Sequence, residues 1–133
     1  MTNIQSQSTS NPTSISQVAA EAALNGDQSC VAVMTKAFKE RHDYVYATLK
    51  AMDGVEVAPA DGTFYSFPSF QKVIQRMGLA NDIAFAEQLL SGAGVAVVPG
   101  SAFGAEGCAR ISFATSMDNL VKALERIGRM VTG

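Results

Sequence analysis

One histidine, two cysteines and no cluster of lysine or arginine leave this sequence short of the side chains that most site chemistry draws on. Cys30 and Cys108 match no metal-ligand spacing, and the lone His42 cannot complete a set with them, so no metal site is expected. Both thiols read as reduced, as in a cytoplasmic protein. Ten basic against twelve acidic side chains give a net charge of −2 without a basic patch, so a nucleic-acid backbone finds nothing to bind. No apolar run approaches the roughly 18 residues of a membrane span. The polar opening TNIQSQSTSNPTS has neither the charged start nor the apolar core of a secretion signal, so neither a membrane nor export is expected.

What is present is an ordinary to apolar globular composition. Hydrophobic residues make up 47% and charged residues 17%, a balance that leaves some apolar surface for a partner. The 133 residues suit one domain able to bury a core without disulfide or metal staples. Residues 1–13 are too polar to order themselves. A helix is expected from Thr13, with Ser14 as its cap, Ile15, Val18, Ala19, Ala22 and Ala23 on one side and Asn25-Gly26 as its stop. A longer one opens at Asp27 or Ser29. Its stripe Val31, Met34, Phe38, His42, Val45, Leu49 and Met52 runs to Gly54.

VEVA (55–58) and TFYSF (63–67), joined by PADG, read as a hairpin-like pair closed by Pro68. Residues 69–78 are an irregular turn or a single helical turn. Asn81 caps a helix through Leu90 that stops at Gly92 and Gly94, VAVV (95–98) is a strand, and ARISFA is another. Ser116 caps a last helix with Leu120, Leu124, Ile127 and Val131 on one face. The order predicts an α+β fold, a small mixed or antiparallel sheet with helices packed on one face. It also suits a small-molecule regulatory module of the βαββαβ kind.

Between Gly94 and Thr115 an apolar run, the corner PGSAFG and a second run with one cation, Arg110, form an arrangement that aims a guanidinium at a small acid. The plainer alternative puts Arg110 at a sheet edge, paired with a surface carboxylate. In the corner, Pro99 halts the strand, Gly100 and Gly104 allow tight turns, and Phe103 is expected to anchor the loop on the core; as an anion nest it is weak, lacking a P-loop's lysine. His42 belongs to an apolar stripe and reads as packing. Lys36, Lys39, Lys50, Lys72 and Lys122 fall on helix surfaces or loops, with no pocket to depress an amine. Asp61, Asp82 and Asp118 hold turn and helix-start positions that capping and the helix dipole explain.

GVAVVPGSAFG followed by ARISFATSMDNLVKALERI resembles the C-terminal end of class I pyridoxal-phosphate-dependent aminotransferases of the aspartate aminotransferase type. The likeness extends through DGTFYSFPSF, FKERHDYVYATL and QSTSNPTSISQVAAEAAL. It implies that residues 28–133 form the small domain and residues 1–27 a segment bridging to a large domain. It also implies that Arg110 binds the substrate's α-carboxylate, that the amino acid or 2-oxo acid is the substrate of an intact enzyme, and that the enzyme is a homo-oligomer using pyridoxal 5'-phosphate. The family's Schiff-base lysine, its aspartate on the pyridine nitrogen and its main phosphate ligands match nothing in these residues. Hence no catalytic or cofactor-binding residue is assigned, and the chain alone is expected to be inactive. The competing reading is a non-catalytic amino-acid-binding or protein-interaction module.

Overall fold

The computed structural model describes residue 7, residue 9 and residues 11–132. The chain divides into two compact units, residues 1–35 and 36–133. In the first, the Thr13 hydroxyl oxygen accepts the Ser16 N–H and caps helix α1 (Ser14–Asn25), one residue before the expected cap, Ser14. Asp27 caps the start of α2 (Ser29–Lys50), its carboxylate accepting the Ser29 N–H at 2.9 Å. No residue of α1 is buried. The α2 stripe is buried only in its second half: Val45 and Leu49 are in the core, Phe38 and His42 are half-buried, and Val31 and Met34 are exposed.

In the second unit α2 ends before Gly54, whose φ of 80° reverses the chain. Strands β1 (Tyr65–Ser66), β2 (Val98–Pro99) and β3 (Ala109–Ser112) form an antiparallel sheet ordered β1-β3-β2. The expected hairpin between residues 55–58 and 63–67 does not form. Its backbone groups are taken elsewhere: the Phe64 carbonyl accepts the Phe113 N–H, the Ala60 N–H goes to His42, Pro59 has none, and Glu56 bridges Ser69. Residues 69–78, ambiguous in sequence, contain α3 (Gln71–Arg76), and Gly78 ends it at φ 67°.

Asn81 caps α4 (Asp82–Gln88) through the Ala84 N–H at 2.9 Å. One π turn, Leu89–Ala93, follows, closed by left-handed Gly94. A 3₁₀ turn, Gly100–Phe103, links β2 to β3, and Ser116 caps the last helix, α5 (Met117–Thr132), through the Asn119 N–H. The α5 face Leu120, Leu124, Ile127 and Val131 is buried, as its spacing predicts; each side chain contributes about 1.5–3 kcal/mol by leaving water. It packs with Val45, Leu49, Phe70, Val73, Phe85 and Leu89 over the inner face of β3, made by Ala109 and Ile111, and over Phe113 just beyond the strand. The α+β architecture is thus the expected one. Among the described residues no helix is long and apolar enough to cross a membrane.

Candidate functional site

Strand alternation builds the site. Ala109 and Ile111 are buried in the core, so Arg110 projects to the opposite face of the central strand, with Val98 as its β2 neighbour. The pairing of Tyr65 with Ser112 puts the Tyr65 ring on that same face. The guanidinium carbon lies 4.4 Å from the centre of the Tyr65 ring and 4.7 Å from that of Phe103, so an aromatic lies against the cation from each of two elements. Arg110 is half-buried. Among the described residues no ion pair or side-chain hydrogen bond uses it; the acids that pair at all pair with Lys39, His42, Lys72, Arg76 and Arg129. The sheet-edge, acid-paired alternative therefore fails on both counts.

Phe103 is not the core anchor expected of it. It is 50% exposed and spends its ring on Arg110 and, edge-on at 6.0 Å, on Phe67. Phe67, its edge-on partner, is 41% exposed, so this aromatic pair beside the cation is partly solvent-facing. The corner is held by close approach. A Cβ on Gly100 would lie 2.2 Å from the Ala105 carbonyl oxygen and 2.7 Å from Cys108 Cβ, so only glycine fits against β3.

The anion nest of PGSAFG is filled from within. Asp82, at the first position of α4, is 1% exposed, and its carboxylate accepts the Ser101 backbone N–H at 2.7 Å. Burial pushes its pKa up. Hydrogen bonds from the Ser101 N–H and hydroxyl, from its own N–H and from the Gly107 N–H outweigh that and hold it below the usual carboxylate value. Gly100 and Ala105 donate to the Cys108 and Gly100 carbonyls, so the corner offers an outside anion little. Capping alone does not describe Asp82; Asp61 and Asp118 are exposed, as turn and helix-start acids usually are.

The other candidates stay apart from Arg110. His42 is packed, as its stripe predicts: Nε2 accepts the Ala60 N–H at 3.0 Å, Nδ1 faces Asp43, and the ring meets Tyr46 and Phe113. That pairing selects the tautomer with the proton on Nδ1. Lys36, Lys39, Lys50, Lys72 and Lys122 are all exposed, with Lys39 on Asp43 and Lys72 on Glu56. Cys30 and Cys108 are free thiols, and no group of His, Cys, Asp or Glu among the described residues could hold a metal ion. A cavity of about 350 Å³ lined by Val95, Ile111, Leu120, Leu124, Lys122 and Arg126 does not include Arg110.

Sequence reasoning reached Arg110 but not its frame. Tyr65 and Phe103 become its neighbours only through the β1-β3 register and the 3₁₀ turn. The period-two spacing around Arg110 was the available signal that it faces away from the core.

The sequence model of the family described as aminotransferase class I and II matches residues 1–127. An aspartate/prephenate aminotransferase of Nitrosomonas europaea is 51% identical over 99% of this chain and 35% of its own length. An aspartate aminotransferase of Bacillus subtilis is 44% identical over 98% of the chain and 33% of its own. The crystal structure of the aspartate aminotransferase from Rhizobium meliloti superposes with a TM-score of 0.83 at 42% identity, covering 97% of this chain and 34% of that one. The chain thus spans about a third of the length of the curated relatives it matches.

Proposed function

The chain belongs to the class I and II aminotransferase family, and on that footing we propose that it is the C-terminal small domain of an aspartate-type aminotransferase whose Arg110 binds the substrate's α-carboxylate. The observation that carries this reading is a guanidinium on the central strand, flanked by two rings and paired with no acid of the described chain. The two rings lie against the cation while no ion pair or side-chain hydrogen bond among the described residues uses its N–H groups, so the fork is left for a two-point contact with a carboxylate. They also displace water from the cation, which strengthens that contact. A strand paired on both sides holds the fork still, so the acid end of the substrate is oriented as well as bound.

The family implies pyridoxal phosphate, which supplies an electron sink when bound. This chain's residues do not fit that cofactor alone. Every lysine is exposed, so none is the desolvated amine that its aldehyde needs. The proposal therefore has residues 28–133 supply the substrate-carboxylate side of a site completed by a large domain, with residues 1–27 bridging to it. The intact protein would move an amino group between an amino acid and a 2-oxo acid, as a cytoplasmic homo-oligomer.

A chimera tests this directly: residues 1–133 replace the matching third of the Nitrosomonas europaea relative, and amino transfer is assayed. Activity is expected. Arg110→Ala should then lower kcat/KM by the equivalent of about 2–5 kcal/mol, the range for removing one member of a buried charged pair. An unchanged kcat/KM would refute the role given to Arg110.

A further inference from the structure

We infer that Asp82 is a positioning residue for the Arg110 guanidinium, acting through the Gly100–Phe103 turn; the inference rests on the reading of Arg110 as the carboxylate-binding cation. The turn is pinned at two consecutive residues from two different elements. Gly100 donates its N–H to the Cys108 carbonyl at 2.8 Å, which ties it to the start of β3. Ser101 donates its N–H to the Asp82 carboxylate at 2.7 Å, which ties it to α4. Two residues further on, Phe103 lays its ring over Arg110.

Phe103 itself is half exposed, and its other aromatic contact, Phe67, is 41% exposed. No core packing holds that ring in place. Its position depends on the backbone of the turn, and the buried anchor of that backbone on the α4 side is Asp82. A fully buried carboxylate is a costly way to begin a helix. An exposed acid serves the helix dipole equally well, as Asp118 does at the start of α5. What burial adds at position 82 is an acceptor aimed at Ser101, and through it a fixed path from α4 to the face of the guanidinium. Removing the acceptor leaves the Ser101 N–H without its partner, so the turn must rotate to find water and carries Phe103 with it.

The test uses the 133-residue chain, isotope-labelled, with the Arg110 side-chain N–H and Cδ protons followed by NMR. These nuclei lie against the Tyr65 and Phe103 rings and are displaced by their ring currents from the positions of a free arginine. Phe103→Ala fixes how much of that displacement Phe103 supplies. Asp82→Ala is expected to abolish most of the same share, and Asp82→Asn, which keeps one acceptor oxygen, a smaller part of it. Leu124→Ala, in the core of α5, should lower the melting temperature without moving the Arg110 signals. Asp82 variants that melt earlier yet leave the Arg110 signals where they were would overturn the proposal, leaving Asp82 a stabilising residue only. Should Asp82→Ala fail to fold, Asp82→Asn decides by the same criterion. The outcome is separable from that of the chimera: kinetics insensitive to Arg110→Ala refute the carboxylate role, whereas immobile Arg110 resonances refute the part given to Asp82.

Discussion

A planar cation flanked by aromatic rings cannot be replaced by one that is merely charged. Lysine at position 110 would keep the charge but lose both the fork and the stacking on Tyr65 and Phe103. Arg110 was legible in the sequence because a single guanidinium interrupts an apolar strand. Asp82 was not, since a helix-start acid looks the same in sequence whether it is buried or solvated. Thr63 was equally silent: it follows Asp61-Gly62 and takes φ 68°, a left-handed conformation that disfavours a β-branched residue. That strain costs on the order of 1–3 kcal/mol, against about 0.5–1 kcal/mol of extra chain entropy lost by glycine. Thr63→Gly should therefore stabilise the chain by about 1 kcal/mol, read as a higher denaturation midpoint; a lower midpoint would mean that the threonine earns its conformation through contacts.

Among elements, α5 was the most legible, because Leu120, Leu124, Ile127 and Val131 recur at helical spacing and Ser116 caps the start. The supposed hairpin was the least. Local β-propensity in VEVA and TFYSF gives no information about which strand each will pair with, and β3 takes Tyr65 and Ser66. The stretch 69–78 hid a helix of six residues, too short for a period to declare itself. The junction of α4 with the 3₁₀ turn carries an acid-dependent prediction. The Asp82 pKa is lowered in the folded chain, so its stabilisation is complete above the unfolded value, near 3.9, and is lost as pH falls through the folded one. Asp82→Asn should cost about 1.5–3 kcal/mol at pH 7, the range for a hydrogen bond to a charged group. Its stability should also fall less than the parent's between pH 5 and about 2. Asp27, Asp43 and Glu56, held low by Ser29, Lys39 and Lys72, are common to both proteins and cancel in the comparison. Parallel pH curves would show that the fold does not lower the Asp82 pKa.

For the molecule as a whole, the composition foretold apolar surface left uncovered, and the structure locates it. Ile15, Val18 and Leu24 on α1 are exposed by 81%, 65% and 79%, and Val33 on α2 by 71%. Exposed apolar side chains gathered on neighbouring helical turns favour association. Sedimentation should show weight-average mass rising with concentration, and Val18→Asp with Leu24→Asp should suppress the rise; a concentration-independent monomer would contradict it. Family membership was readable from motifs alone, but where each motif sits relative to the others depends on long-range pairing that no local pattern encodes. Every buried hydrophobic among the described residues lies at or beyond Val45, while the first compact unit ends at residue 35. The opening segment thus contributes no side chain to that core. A chain shortened to residues 26–133, which keeps α2 and its Asp27 cap, should melt where the parent does while associating less, so folding and assembly can be altered independently by editing opposite ends of one polypeptide.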